Sequence, residues 1–289
     1  MTYRLQDELH HTAVARGEAL QLPEYASMLA AYHRAYAPEL QAIMDTLPLR
    51  LGDRVLDMAC GDGTYAPWIT RHIGEQGRVV AADISFDYLR IVQRQIGARA
   101  VAARICLSMA DVGQLPFRDG CFDVVWCAQS LYDFPDAVQA LQEMRRVVRH
   151  GGLVVVLEND CLHHLLLPWP VNLELALRQA EWQALQKETQ WPEKFYIGRR
   201  LHALFRLADL QPCCKQTYAS NRQAPLGRDE QAFLGGYLRR LQQRVEGYLD
   251  PASQRQLAAL IHPNAPGSLL NHPHVTVTCV DHVIWGVKT

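Results

Sequence analysis

Apolar residues recur along this chain with two different rhythms, and the change between them divides it. Near the start, Tyr25, Met28, Leu29, Tyr32, Tyr36, Leu40 and Ile43 follow at three- and four-residue intervals, which predicts helix. Pro23 and Pro48 bracket the stretch, and Pro38 inside it predicts a kink or two separate helices. From residue 54 onward short, continuous apolar runs take over, at 54–58, 77–83, 102–108, 122–127 and 153–158. Helical spacing lies between them, up to Ile73, from Phe86 to about Ile96, and over 137–148, with a turn at His150-Gly151-Gly152. Strands that are apolar throughout, rather than alternating, are buried on both faces, so a mostly parallel sheet covered by helices is expected.

Beyond residue 160 the chain becomes more helical, over Val171–Glu188, 199–208, 229–249 and 251–262. A strand is expected at 211–221 and a long one at 274–287. This divides the chain into N-terminal helices (1–50), a core (51–160), and the rest of the sheet with helical insertions at about 161–198 and 226–265. Insertions carrying Trp169, Trp182, Trp191, Phe195 and Tyr237 are expected to act as lids over an apolar or aromatic ligand, or simply to pack on the core.

Composition removes several functions. The net charge is -1, from Lys+Arg 29 against Asp+Glu 30, which leaves no electrostatic footprint for nucleic acid or an anionic membrane. No apolar stretch approaches the length of a membrane span or a secretory signal, so a cytoplasmic protein is expected. The 8 cysteines include no CxxC pair and are expected as buried thiols, and the histidines near the C-terminus make no metal-ligand pattern. No metal site is expected.

The chemistry sits at the strand ends. The strand at 54–58 runs into Ala59-Cys60-Gly61-Asp62-Gly63-Thr64, where glycines let a ligand approach the backbone and the next helix offers free N–H groups. Asp83 ends the following strand 20 residues after Gly63, where a carboxylate can accept hydrogen bonds from both hydroxyls of an adenosine ribose; it could also cap the helix that follows. Gly61–Ala66 also satisfies GxGxxA, a nicotinamide-binding pattern, so an oxidoreductase stays open as the alternative. Asp57, aimed at the same turn, would repel a pyrophosphate and attract an ammonium, and Ala110-Asp111 supplies a second acid suited to the adenine amine.

The segments VLDMACGDG, VVAADIS, MADVGQLPF, FDVVWCAQSLYDF and MRRVVRHGGLVVV resemble, in order and spacing, the successive motifs of class I S-adenosylmethionine-dependent methyltransferases, of the quinone-biosynthesis and natural-product branch. The resemblance covers about residues 55–158. It implies a doubly wound, seven-stranded sheet with an antiparallel last strand, and S-adenosylmethionine as cofactor. Position by position, it implies that Asp57, Ala59, Gly61 and Gly63 lie under the methionine part, and that Asp83 holds the ribose with Ile84 against the adenine. Met109, Ala110 and Asp111 would frame the adenine, and Gln129 would lie near the sulfonium. Where the family usually has glycine this chain has Ala59. Tyr25 and Tyr32, on the N-terminal helices, are expected to close over the cofactor or else to belong to the core.

Methyl transfer is an in-line displacement that chiefly needs positioning, and a general base where the acceptor is a hydroxyl or an acidic carbon. Tyr132 and Asp133 after the fourth strand, and Glu158, His163 and His164 after the fifth, are the candidate bases; His163 and Tyr132 stand first. Ala128-Gln129-Ser130-Leu131 replaces the motif used to methylate nucleic-acid bases, so a small-molecule acceptor, no nucleic acid, no membrane, and a monomer or homodimer are expected. A protein that binds S-adenosylmethionine without catalysis is a third reading.

Overall fold

The computed structural model describes residues 20–97, 100–262, 264–265 and 267–289, so the expectation for residues 1–19 lies outside the described residues. The helical start is two helices, α1 (Ala26–Ala35) and α2 (Ala37–Asp45), with Pro38 in the first turn of α2 where its missing N–H is harmless. Then β1 (Arg54–Met58), α3 (Tyr65–Ile73), β2 (Arg78–Asp83), α4 (Phe86–Ile96), β3 (Ile105–Met109), β4 (Phe122–Ala128), α5 (Ala137–Val147) and β5 (Val148–Glu158) alternate. After them come β6 (Leu165–Leu166), α6 (Val171–Glu188), α7 (Ile197–Leu207), β7 (Leu210–Gln223), α8 (Arg228–Val245), α9 (Pro251–Ile261) and β8 (Thr276–Lys288).

Among the described residues one sheet contains eight strands, in the order β3-β2-β1-β4-β5-β8, with β7 pairing along β8. Of these strands only β8 is reversed, antiparallel to β5, β6 and β7. The eighth strand, absent from the expectation, is the two-residue β6, which pairs with Cys279 and Thr278 just beyond the β5 ladder. The register aligns the strand tips: Asp57 pairs with Ala81 and Trp126, and Asp83 with Met109. Side chains alternate between two cores. Val55, Val79 and Val124 face α3, α4 and the N-terminal helices, whereas Leu56, Met58 and Val125 face α5 and α7. The expected turn at 150–152 is a bulge inside β5, where Gly151 at φ 72 admits the detour between the Phe122 and Val124 pairings.

Helices α1, α6, α8 and α9 pack on one another on the first of these faces, with Tyr32, Leu173, Leu177, Phe233 and Leu257 in one buried cluster. Among the described residues, no helix is long and apolar enough to cross a membrane. The eight cysteines are unpaired, and Cys106 and Cys214 are exposed, contrary to the expectation of buried thiols: both sit where the side-chain alternation of a strand points outward.

Candidate active site

The β1–α3 turn has three residues in the left-handed region: Ala59 (φ 54), Gly61 (φ 52) and Gly63 (φ 76). A Cβ on Gly61 would meet nothing within 4 Å, so this glycine leaves open space beside the backbone for a ligand. Gly63 serves otherwise: a Cβ there would lie 2.8 Å from the Val92 methyls, so it lets α4 approach the turn and does not line the cleft, contrary to the role expected of it. Ala59 has a Cβ in a conformation that costs an L-residue about 1 kcal/mol or more. Ala59→Gly is therefore expected to raise unfolding stability by roughly 0.5 kcal/mol, net of the unfolded-state entropy of glycine, with ligand affinity unchanged; urea denaturation checks this.

Asp57 is 1% exposed, and one carboxylate oxygen has no hydrogen-bond partner. Burial raises its pKa well above the usual carboxylate value, and the nearby Asp83 and Asp62 carboxylates push it further. Such an acid is stabilised by a cationic or donating ligand group beside it. Asp83 accepts the Gly61 N–H at 3.0 Å and the Ser85 N–H at 2.8 Å, so it ties the β1 and β2 turns together; the capping of α4 falls to Ser85. Burial raises the Asp83 pKa and these N–H donors pull it back.

These groups open on a cleft of about 750 Å³ across the tips of β1, β2 and β4. Asp57, Ala59, Gly61, Asp83, Ile84, Ala110, Asp111 and Gln129 all line it. Ile84 is a rim residue, 67% exposed. Asp111 is exposed and accepts the Gly113 N–H. Met109 does not line the cleft: it is 54% exposed, because the next residue, Ala110, takes the inward position. Tyr32 is not in the cleft either; its hydroxyl donates to Asp281 at 2.8 Å, pinning α1 to β8, and it lines a second cavity.

That second cavity, about 350 Å³, lies between the sheet edge and helices α1, α6 and α8. It shares Tyr25, Leu29, Gln129 and Asp133 with the cleft, so the two spaces meet across these residues. Gln129 stands at φ 52, its N–H donated to Leu157 O and its Oε1 2.9 Å from His33 Nε2. His33 in turn has Nδ1 3.8 Å from Asp62.

Of the expected bases, Tyr132 lines the second cavity, but burial raises its phenol well above the usual value, which makes it a hydrogen-bond donor rather than a base. His163 lines neither space; its ring packs on Tyr196 with centroids 5.7 Å apart, because the turn after β5 directs it away. Its neighbour His164 faces the cavity instead. Glu158 is fully buried and accepts the Leu131 N–H at 2.6 Å, so it anchors the loop after β4 and does not face the ligand spaces. Phe195 and Tyr237 line the cavity, Trp169 is core, and Trp191 is 71% exposed. Among the described residues no group of three His, Cys, Asp or Glu is placed to hold a metal ion.

Sequence reasoning passed over His33 and Asp62 as site residues, and it named His164 and Asp133 as candidate bases but ranked His163 and Tyr132 ahead of them. Tyr25, Leu29, Tyr32 and His33 fall on one helix face, a signal that the spacing already contained.

Comparison with known proteins agrees with this geometry. Over 128 residues the chain is 35% identical to a demethylmenaquinone methyltransferase of Bacillus cereus (strain ATCC 10987 / NRS 248), covering 44% of this chain and 52% of that one. Over 116 residues it is 31% identical to the methyltransferase GfsG of Streptomyces halstedii, covering 40% of this chain and 41% of that one. The matches thus span about half the length of these relatives or less. The fold is that of BH2331 from Bacillus halodurans C-125, with a TM-score of 0.55 at 16% identity over 87% of this chain and 99% of the other. Residues 27–171, half of the chain, match the ubiE/COQ5 methyltransferase family, and the chain belongs to that family.

Proposed function

We propose that this protein transfers a methyl group to a small, apolar or aromatic molecule held in the second cavity. Its cofactor is S-adenosylmethionine, bound in the cleft, which supplies an electrophilic methyl group on a sulfonium. The observation that carries the reading is the junction itself: a cleft built for an adenosyl group opens, across Tyr25, Leu29, Gln129 and Asp133, onto an aromatic cavity.

In this reading Asp83 accepts from the ribose hydroxyls, the unpartnered oxygen of Asp57 accepts from the ammonium of the methionine part, and Ala110 and Asp111 border the adenine. The open space beside Gly61 admits the backbone-hugging portion of the ligand. Gln129, fixed by His33 and Leu157, bounds the passage between the two spaces. Alignment and exclusion of water by α1, α6 and α8 supply the rate, a contribution of about 7–11 kcal/mol for well-oriented reactants. The segments 161–198 and 226–265 act as the lids, and the chain works in the cytoplasm, as a monomer or homodimer, without nucleic acid.

A buried acid at the turn argues against the nicotinamide alternative, since a pyrophosphate would meet Asp57 and Asp62. Titration calorimetry decides: S-adenosylhomocysteine is expected to bind one-to-one and NADPH not at all. Heat with NADPH alone would overturn the assignment.

A further inference from the structure

His164 lines the acceptor cavity, and its surroundings fix which ring nitrogen carries the proton. Nδ1 lies 3.1 Å from Cys161 O and 3.3 Å from Asp160 O. Both partners are carbonyls, which only accept, so Nδ1 carries the hydrogen and Nε2 keeps a lone pair. Among the described residues Nε2 has no hydrogen-bond partner. The ring stands edge-on to Tyr237, centroids 5.6 Å apart, and Tyr237 uses its own hydroxyl with Arg178. Burial, reinforced by the Arg178 and Arg244 charges, lowers the imidazole pKa to about 4. The ring is therefore neutral at physiological pH.

The rest of the cavity narrows the ligand. Tyr25, Tyr132, Phe195, Phe233 and Tyr237 present ring surface, and Tyr132 is a donor. A bare, uncharged acceptor nitrogen among aromatic walls calls for a flat molecule with an O–H.

We infer that His164 is the proton acceptor of the methyl-transfer reaction, and that the methyl acceptor is an aromatic or enolic molecule whose hydroxyl donates to Nε2. The inference rests on the methyltransferase reading above. In the step it serves, the hydroxyl O–H bond breaks and its proton passes to Nε2. The oxygen forms the new bond to the methyl carbon, and the carbon–sulfur bond breaks with its electron pair going to sulfur. The products are the methyl ether, the thioether and an imidazolium, which the Arg178 and Arg244 charges disfavour, so the proton is held only briefly before it leaves the ring. A weak base suffices, because an oxygen that is being alkylated becomes a far stronger acid than imidazolium.

The test uses the protein saturated with S-adenosylhomocysteine, with 1-naphthol and its methyl ether as probes. Wild-type protein is expected to bind 1-naphthol about tenfold more tightly than the ether, the worth of one buried hydrogen bond. In His164→Phe that preference disappears while ether binding persists; in His163→Phe it stays. Nitrogen NMR of the wild-type protein gives a readout that needs no variant: a bare His164 Nε2 signal that moves when 1-naphthol is added and not when the ether is. Equal binding of the two probes, binding of neither, or a protonated Nε2 overturns the role of His164. Failure of S-adenosylhomocysteine to bind at all overturns the methyltransferase reading instead.

Discussion

Asp83→Asn is expected to weaken S-adenosylhomocysteine binding about 100-fold while leaving the protein folded. A hydrogen bond to a charged group contributes about 1.5–3 kcal/mol, and about 2.7 kcal/mol corresponds to that loss of affinity. Asp83 is 6% exposed, ends β2, and already accepts the N–H groups of Gly61 and Ser85, so its carboxylate is held in place before a ligand arrives. An amide of the same shape keeps an oxygen for one of these donors but presents an N–H₂ where the second oxygen accepted. One ribose hydroxyl then loses its acceptor, and the charge that strengthened the other bond is gone. Asp111→Asn is the control, because that carboxylate is exposed and its contribution is screened by water; less than a tenfold change is expected. Calorimetry on the three proteins, with melting curves to verify folding, measures both. A change below tenfold at Asp83 would remove it from the ribose.

The sheet was legible because its central parallel strands, β1, β2, β4 and the second half of β5, are buried on both faces and so read as short apolar runs. Val171–Glu188 emerges as one helix to the residue, and the reversed final strand is found at Thr276–Lys288 against an expected 274–287. The differences come from backbone events without a periodic signature. β5 begins at Val148 because the Gly151 detour stays within the ladder, and β6 is two residues long, too short to show a period. α8 stops at Val245, short of the expected 249, where the chain leaves helical geometry before Gly247 at φ 83.

The candidate site was legible in proportion to how locally its geometry is determined. Asp57 and Asp83 sit on adjacent strands in fixed register, Asp57 opposite Ala81 and Asp83 two residues further along, so both fall on one face of the sheet at the strand tips. Met109 and Ala110 are consecutive at a strand end, and composition cannot say which of two neighbours turns inward. The same ambiguity separates His163 from His164 at the turn after β5. His33, Tyr25 and Tyr237 reach the ligand spaces from helices remote in sequence, and only the packing of α1 against α8 brings them together.

Glu158 gives the other large effect, and it acts through the backbone. Its carboxylate, at 0% exposure, accepts the Leu131 N–H at 2.6 Å and the Asn159 N–H at 3.3 Å, with the Ser130 and Tyr132 N–H groups also within its reach. The loop it holds supplies Gln129, Tyr132 and Asp133 to the two ligand spaces. Glu158→Ala strands these donors in a dry interior and is expected to cost roughly 3 kcal/mol of stability, with weaker S-adenosylhomocysteine binding as the loop loosens. Glu158→Gln behaves differently, and pH separates the two. Burial raises the Glu158 pKa from 4.5 to about 8 against the opposing pull of the N–H donors. Between those values the folded protein holds a proton that the unfolded chain releases, so this group's contribution to stability falls as pH rises through the window. Glutamine resembles the protonated acid and does not titrate. Relative to wild type, Glu158→Gln should therefore gain roughly 2 kcal/mol in stability between pH 6 and pH 8. Asp281, with a pKa raised to about 6, titrates in both proteins and cancels from the difference. Urea denaturation at the two pH values measures the gap; one that stays constant would show that Glu158 is already ionised at pH 6, held as a carboxylate by its N–H donors.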